Sequence, residues 1–260
     1  MKFDPFPAAF ELQRHWHERK VVNGLPAPIA PRTEQEGVWV QHAAARLLHA
    51  IPPGGFKIGA TGRRMQEYLG IDVPIAGFMR SADIHQHTAR LPYDHFLNPG
   101  VECEVAVRLA QDLPPGPCTL DQALAAVGAF FAGIEIVENR YGDVGKVGMP
   151  TLVADQMYHA AAVIGDPSEM DRRTLEIGAL RGKIEIGNGR TDEGITTDLL
   201  GHPLNGLAWL AASPLAAAFD GLKAGQVIML GSVTPPIWLD GPAEVTVSFP
   251  PLPVVTLHLT

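Results

Sequence analysis

The chain has 260 residues, of which 46% are hydrophobic and 18% are charged, a composition typical of a globular protein with a sizeable core. Acidic residues outnumber basic ones by 28 to 20, and the resulting net charge of -8 argues against a nucleic-acid partner or an anionic membrane surface. The two cysteines, Cys103 and Cys118, are too few for a disulfide framework or a zinc site, so a reducing cytoplasmic location is the default expectation.

No targeting or membrane segment is expected. The first twenty residues contain acids, prolines and histidines where a signal peptide needs an unbroken apolar stretch. The longest apolar runs fall short of the roughly 18 residues without charge or proline that a bilayer crossing requires. We therefore expect a small-molecule substrate rather than a membrane or nucleic-acid partner.

Two helices are predicted at the N-terminus, over residues 8–20 and 33–50, with a proline-rich connector between them. The second helix begins with Thr33 as its N-cap, and Glu36 three residues later completes a capping box. From about residue 55 short β-type runs alternate with Gly and Pro. The sequence thus predicts a helical N-terminal part over 1–52 and a β-rich domain over 53–260.

Within the β-rich part, a helix is predicted over residues 119–133, capped by Thr119 and Gln122 and leading directly into a strand. A second helix begins near Pro203 and continues to Ala212. The later predicted strands are 182–187, which turns at Asn188 and Gly189, then 226–233, 243–249 and 254–259. The class is α+β with β dominant.

Two glutamates one residue apart interrupt the strand-like stretch PGVECEVAVRL, residues 99–109. Alternation along a strand places Glu102 and Glu104 on one face and Val101, Cys103 and Val105 on the other. Side chains at i and i+2 lie about 7 Å apart along the strand, so both carboxylates can lean toward one cation. A solvent-facing strand edge is the alternative interpretation.

A third acid comes from the stretch GIEIVENR, where Glu135 lies between Ile134 and Ile136. Burial of a carboxylate is costly unless it is paired, hydrogen-bonded or bound to a metal. Three carboxylates from two strands form an all-oxygen set of ligands, which favours Mg²⁺ or Mn²⁺ over zinc.

At this point the sequence resembles the 2-oxopent-4-enoate hydratase and 4-oxalocrotonate decarboxylase group of the fumarylacetoacetate hydrolase superfamily. The resemblance rests on six motifs in the family's order: FKIGATG (56–62), VECEVAV (101–107), GIEIVENR (133–140), VADQ (153–156), GHPLNGLAWLA (201–211) and GSVTPP (231–236). It implies a mixed β-sheet roll preceded by a small helical part. It also implies a divalent-metal-dependent lyase for 2-hydroxydienoates or 2-oxo-enoates in aromatic catabolism.

The resemblance further implies that Glu102, Glu104 and Glu135 are the Mg²⁺ or Mn²⁺ ligands and that Lys57 lines the pocket. The lysine is expected to bind a substrate carboxylate or to move a proton. His202 precedes a helix and either caps that helix or contacts substrate. The cation would act as a Lewis acid on a 2-oxo acid, a role that serves both hydration and decarboxylation.

Three positions depart from the family's pattern. Ile75 stands where hydratases of the family carry an acid, and an isoleucine cannot shuttle a proton. Gln156 replaces the usual Asn, and Tyr158 stands where a small Ser is common, so we expect both to alter the substrate pocket. Asp83 is a possible substitute acid, with a loop cap as the alternative.

Thr234 of the GSVTPP motif is also predicted to line the substrate pocket. We place a hydratase acting on a 2-hydroxypenta-2,4-dienoate-like compound first, because the family that the sequence resembles contains many hydratases. A 4-oxalocrotonate-type decarboxylase is a close second, and the apolar Ile75, which resembles the decarboxylase pattern, favours it. A non-catalytic assembly partner of an active relative is the alternative from a different class. From the family we also expect a homo-oligomer, possibly associated with a related pathway enzyme.

Overall fold

The computed structural model describes residues 3–171, 175–187 and 189–260. Its helices are α1 (Phe6–Glu18), α2 (Glu34–Leu47), α3 (Arg63–Leu69), α4 (Leu120–Ala126), α5 (Val144–Val147), α6 (Met149–Ala154), α7 (Pro203–Ala212) and α8 (Pro214–Ala218). Its strands are β1 (Gly55–Gly59), β2 (Ile75–Met79), β3 (Ile84–Gln86), β4 (Thr88–Leu91), β5 (Pro99–Leu109), β6 (Val127–Glu138), β7 (His159–Ile164), β8 (Arg181–Ile186), β9 (Thr191–Ile195), β10 (Val227–Ser232), β11 (Ile237–Trp238), β12 (Ala243–Ser248) and β13 (Val255–Leu259).

The strands form two sheets. The larger sheet has the order β2-β1-β10-β5-β6-β7-β3, with the short β11 paired to β5, and the smaller sheet has the order β4-β13-β12-β8-β9. The larger sheet is mixed, because β1 runs parallel to β10 and β3 parallel to β7 while the other neighbours are antiparallel. The predicted β-dominated α+β class is confirmed.

The long central strands β5 and β6 are buried on both faces. One face contributes Val101, Cys103 and Val105 to the main hydrophobic core. The opposite face, which carries the glutamates, also contributes Ala106 to a second apolar cluster with Phe131, Met229 and four further residues. The glutamates therefore lie on an interior face of the sheet, next to an apolar cluster, rather than along a solvent-facing edge.

The helix predicted over 119–133 is wrong for its second half. The predicted Thr119–Gln122 capping box is present, but helix α4 ends at Ala126 and the chain continues as β6. The stretch from Val127 onward pairs along its whole length with β5, and this pairing buries the aromatic and β-branched side chains on both faces. Tertiary pairing has overridden the local helical pattern.

The other predicted elements are present with small shifts of their ends. The Thr33 hydroxyl accepts from the Glu36 N–H as an N-cap, but the Glu36 carboxylate accepts from the Arg32 N–H instead of completing the capping box. The predicted helix from Pro203 to Ala212 is confirmed as α7. Strands β8 and β9 form the predicted hairpin, although Asn188 of its turn lies outside the described residues.

The N-terminal helices are attached to the sheet by buried hydrogen bonds. The Gln41 amide on α2 donates to the carbonyls of Ala76 and Val153 and accepts from the Phe78 N–H. The Trp16 indole N–H on α1 donates to the Asp155 carboxylate. These bonds connect α1 and α2 to β2 and to the segment that leads into β7.

None of the helices in the described part of the chain combines the length and the apolar character needed to cross a membrane.

Candidate metal centre

Three carboxylates converge where β5 and β6 pair. Glu102 lies directly opposite Glu135 in the antiparallel register, and Glu104 lies two residues further along the same face of β5. One oxygen from each of the three carboxylates lies within 4.8 Å of the other two. Glu104 and Glu135 have no solvent exposure, whereas Glu102 is half-buried. The structure thus brings together the three residues that the sequence resemblance implies as ligands, and their role as ligands stays a prediction.

In the two fully buried glutamates, one oxygen is held by the protein and the other is not. The Gly231 N–H donates to Glu104 Oε2 at 2.9 Å, and His159 Nδ1 lies 2.9 Å from Glu135 Oε1. Glu104 Oε1 and Glu135 Oε2 are buried and find no hydrogen-bond partner among the described residues. A buried acceptor without a donor costs about 1–3 kcal/mol, more when charged. A bound cation would satisfy both oxygens.

The donor to Glu104 depends on a glycine. Gly231 has a φ of +105°, a conformation that side chains with a Cβ rarely adopt. A Cβ at this position would also lie 1.9 Å from the Thr61 Oγ1, well inside van der Waals contact. The glycine therefore allows strand β10 to bend, at the irregularity between Met229 and Ser232, so that its N–H reaches the carboxylate.

Lys57 places a buried ammonium group beside Glu135. Its side chain projects from β1, is 2% exposed, and donates to the Met157 carbonyl at 2.5 Å. The Lys57 Nζ lies 3.6 Å from Glu135 Oε1. The predicted pocket lysine is thus adjacent to the carboxylate cluster and partly compensates its negative charge.

The pKa values of the three glutamates move in different directions. Burial, with repulsion from Glu135, raises the pKa of Glu102 to about 8. Burial, with repulsion from Glu135 and Glu102, raises the pKa of Glu104 well above its ordinary range, against the lowering effect of the Gly231 N–H. Burial also acts to raise the pKa of Glu135, but Lys57 and the His159 hydrogen bond outweigh it and the net shift is downward. The cluster therefore favours a bound cation over three free negative charges.

The segment before β7 adopts an unusual backbone. Gln156, Met157 and Tyr158 have φ values of +59°, +49° and +67°, three consecutive left-handed residues without a glycine. Each such residue costs on the order of 1 kcal/mol and persists only where its surroundings hold it. The buried Arg140 donates to the carbonyl of Asp155 at 3.1 Å and to that of His159 at 3.0 Å, on either side of the turn. The turn delivers the Met157 carbonyl to Lys57 and the His159 ring to Glu135.

The two predicted pocket residues of this turn flank Met157, whose carbonyl accepts the hydrogen bond of Lys57. Gln156 is 7% exposed and packs against the backbone of Gly77 on β2. The half-buried Tyr158 ring packs edge-on against Tyr141, with ring centroids 5.0 Å apart, and lies 6.3 Å from the Trp238 ring. Tyr158 is thus part of a small aromatic group at the end of β5 and β6.

Ile75 and Thr234 are also buried. Ile75 is 6% exposed at the start of β2, opposite Gly59 of the strand that carries Lys57. Thr234 is 6% exposed, and its hydroxyl finds no partner among the residues described, although its backbone is bonded to Ser232. The unpartnered hydroxyl is consistent with the predicted role in substrate binding.

Asp83 and His202 have partners elsewhere. Asp83 forms a bidentate ion pair with Arg80, at 2.5 and 2.7 Å. His202 is the N-cap of α7, where its Nδ1 accepts from the Leu204 N–H at 3.2 Å, and burial lowers its pKa. The His202 contact agrees with the capping interpretation, whereas the Asp83 carboxylate is paired with a side chain rather than with the backbone of a loop. The catalytic roles of both residues stay predictions.

His159 is a site residue that the sequence did not identify. It is 3% exposed, at the first position of β7, and contacts Glu135 from 24 residues further along the chain. A lone histidine at the head of an apolar stretch has no ligand spacing to reveal it. The feature of the sequence that could have drawn attention to His159 is its position directly after the unusual VADQMY segment.

Comparisons with known proteins give relatives of similar length. A 2-oxo-hept-4-ene-1,7-dioate hydratase from Escherichia coli is 31% identical over 214 residues, which cover 78% of this chain and 76% of the relative. A 4-oxalocrotonate decarboxylase from Pseudomonas sp is 31% identical over 229 residues, 84% of this chain and 85% of the relative. No protein-family model matches the chain.

Comparison of structures gives the same fold. The 4-oxalocrotonate decarboxylase from Pseudomonas putida G7, solved with magnesium and adipate, superposes with a TM-score of 0.88 at 22% identity, over 98% of this chain and 97% of that one. Fumarylpyruvate hydrolase and proteins of the fumarylacetoacetate hydrolase family have similar folds. The mixed-sheet fold implied by the sequence motifs is confirmed.

Proposed function

The chain belongs to the family of enzymes that contains 2-oxopent-4-enoate hydratases and 4-oxalocrotonate decarboxylases, and on this premise we propose that Glu102, Glu104 and Glu135 hold a divalent cation for lyase chemistry on a 2-oxo-enoate or 2-hydroxydienoate. The observation that carries the proposal is the pair of buried carboxylate oxygens, Glu104 Oε1 and Glu135 Oε2, that lack any hydrogen-bond donor among the described residues.

The donor set decides the metal class. All three candidate ligands are carboxylates, and neither cysteine belongs to the cluster. Hard cations such as Mg²⁺ and Mn²⁺ prefer oxygen ligands and keep open positions for water or substrate. When bound, such a cation would supply Lewis-acid stabilisation of the negative charge that a 2-oxo group carries while the adjacent carbon is deprotonated.

Lys57 serves the substrate from inside the site. Its ammonium group is buried beside Glu135 and fixed by the Met157 carbonyl. A buried cation in this position attracts the carboxylate of a 2-oxo acid and orients it over the cluster. It is also a group that can hold or deliver a proton at the carbon next to the 2-oxo group.

The hydratase is our first candidate and the decarboxylase is the second. Both reactions pass through the same charge distribution on the 2-oxo acid, so the three glutamates serve either one. The specific observation in favour of decarboxylation is Ile75, a buried apolar side chain where a hydratase of this family is expected to carry an acid. Hydration requires that Lys57 or another group near the cluster carry the proton instead.

The walls of the pocket set the substrate class. Gln156 and Thr234 supply buried polar groups for the oxygens of a small acid, while Ile75 and Tyr158 supply apolar surface for its carbon chain. The acidic cluster together with Lys57 fits an anionic substrate only when a cation offsets the three carboxylates.

We propose a cytoplasmic location, which agrees with the free Cys103 and Cys118, and a homo-oligomeric assembly.

Ultraviolet spectroscopy of metal-stripped protein tests this proposal. We expect 2-hydroxypenta-2,4-dienoate to gain water, as identified by product mass, only after Mg²⁺ or Mn²⁺ is added. A Glu135→Gln variant is expected to lose this activity, whereas Glu244→Gln, which alters an exposed glutamate on β12, retains it. Turnover that is unaffected by removing the metal would contradict the proposal.

4-Oxalocrotonate is the second substrate to be tested. Metal-dependent release of CO₂ from this compound, without hydration of the dienoate, identifies a decarboxylase and assigns Ile75 to that reaction. Protein that binds Mn²⁺ but acts on neither compound would contradict the proposed lyase activity and favour a non-catalytic assembly role.

A further inference from the structure

We propose that His159 is a positioning residue that fixes the Glu135 carboxylate so that one of its oxygens faces the metal. The inference deepens the proposed function and rests on the metal site assigned there. Its basis is the contact at 2.9 Å between His159 Nδ1 and Glu135 Oε1, between side chains that are 3% and 0% exposed.

The chemistry of the pair sets the direction of the hydrogen bond. An ionised carboxylate only accepts hydrogen bonds, so Nδ1 carries the proton and donates it to Glu135 Oε1. Because Oε1 is occupied in this way, Oε2 is the oxygen left for a cation, and Oε2 is the atom that has no partner among the described residues. His159 thus binds one oxygen of Glu135 and leaves the other to bind the metal.

Glu135 takes its nitrogen donor from a side chain rather than from the backbone. Glu104 is held by the backbone N–H of Gly231, whereas among the described residues the His159 imidazole is the nitrogen donor within hydrogen-bond distance of Glu135. Lys57 Nζ lies 3.6 Å from Glu135 Oε1 and donates its short hydrogen bond to the Met157 carbonyl instead. The ammonium group therefore supplies charge to the site, and the imidazole supplies orientation.

The protein also fixes the imidazole itself. The three left-handed residues, 156–158, lie between the carbonyls of Asp155 and His159, and both carbonyls accept hydrogen bonds from Arg140. These bonds set the direction in which the His159 side chain leaves the backbone. The His159 Nε2 is buried and finds no partner in the described part of the chain. Within residues 3–171, 175–187 and 189–260, no second hydrogen bond of the ring therefore competes with Glu135 for its orientation.

Outer contacts that orient metal ligands change metal affinity by about 10–100-fold when they are removed. We therefore expect His159→Leu, which keeps bulk but removes the donor, to weaken Mn²⁺ binding by a factor in this range. His159→Asn places an amide N–H near the position of Nδ1 and is expected to restore affinity to within a few-fold of wild type. His159→Gln places its amide near the position of Nε2 and is expected to bind as weakly as the leucine variant.

The measurement is a titration of metal-stripped protein with Mn²⁺, in which free Mn²⁺ is followed by electron paramagnetic resonance. The matched control is His258→Leu, because His258 Nδ1 makes a similar contact with Glu244 Oε2, at 3.2 Å, on the smaller sheet. This control is expected to bind Mn²⁺ as wild type does. Thermal unfolding of each metal-stripped variant shows which of them are folded.

Equal affinities of wild type and His159→Leu would overturn the role of His159 while leaving the metal site intact. Equal weakening by Leu and Asn would overturn it as well, because a purely structural role predicts no rescue by the asparagine. If the leucine variant does not fold, the comparison of Asn with Gln decides, and equal affinities of these two contradict the inference. Wild-type protein without Mn²⁺ affinity would instead refute the proposed metal site, on which the inference rests.

Discussion

Removal of divalent cations should make the stability of this protein fall as the pH rises. In the folded, metal-free protein the pKa of Glu102 is about 8, compared with an ordinary value of 4.5. The unfolded chain therefore releases this proton near pH 4.5, while the folded protein keeps it until about pH 8. Between these values the folded state binds more protons than the unfolded state, so the free energy of unfolding decreases with pH.

The size of the effect follows from the proton equilibrium. Each pH unit over which the folded state holds one more proton than the unfolded state lowers the free energy of unfolding by about 1.4 kcal/mol. Glu102 therefore contributes a loss of ~1.5–2 kcal/mol of unfolding free energy between about pH 6.5 and pH 8. This figure is an upper bound for Glu102 alone, because solvent reaches part of its half-buried side chain. The raised pKa of Glu104 adds to the same slope.

Urea denaturation of metal-stripped protein at several pH values between 6.5 and 8 measures this slope. The variant Glu102→Gln cannot titrate and should show a shallower slope, whereas Glu244→Gln, with its largely exposed carboxylate, should retain that of wild type. Saturating Mg²⁺ should abolish the decrease, because the metal binds the ionised carboxylates. An unfolding free energy of the metal-free protein that is constant or rises over this range would refute the reasoning, as would an unchanged slope in Glu102→Gln.

Three further substitutions have defined outcomes. Gly231→Ala should lower the unfolding free energy by about 2–4 kcal/mol and weaken Mn²⁺ binding, as measured by denaturation and titration, because its Cβ would collide with Thr61. Lys57→Met should reduce kcat by about 10²-fold or more in the ultraviolet assay while Mn²⁺ binding persists, because the ammonium group acts on substrate. Trp16→Phe should cost about 1–3 kcal/mol in urea denaturation, because the buried Asp155 carboxylate loses a donor. Unchanged behaviour of any of these variants contradicts the corresponding contact.

The three candidate metal ligands could be proposed from the sequence because their geometry is local to two strands. Alternation alone places Glu102 and Glu104 on the same face, and the apolar neighbours of Glu135 indicate a buried carboxylate. The resemblance to the family then implied that the glutamates of the two strands share one metal site. The structure agrees, since Glu102 and Glu135 face each other across the pairing of β5 and β6.

The supporting contacts could not be predicted in the same way. The His159–Glu135 hydrogen bond depends on the backbone turn at residues 156–158, and no sequence rule predicts three left-handed residues without glycine. The stretch from Val127 has a helical pattern of alanines and aromatic residues, yet it becomes the longest strand because β5 offers it a partner along its entire length. Both results depend on contacts between segments that are distant in sequence.

Anomalous diffraction at the manganese edge, from crystals of the wild-type protein grown with Mn²⁺, tests the central claim most directly. The account predicts one peak per chain within about 2.0–2.4 Å of one oxygen from each of Glu102, Glu104 and Glu135, with Oε2 as the ligand atom of Glu135. A peak bound by other residues, or no peak in crystals that contain saturating Mn²⁺, would contradict it.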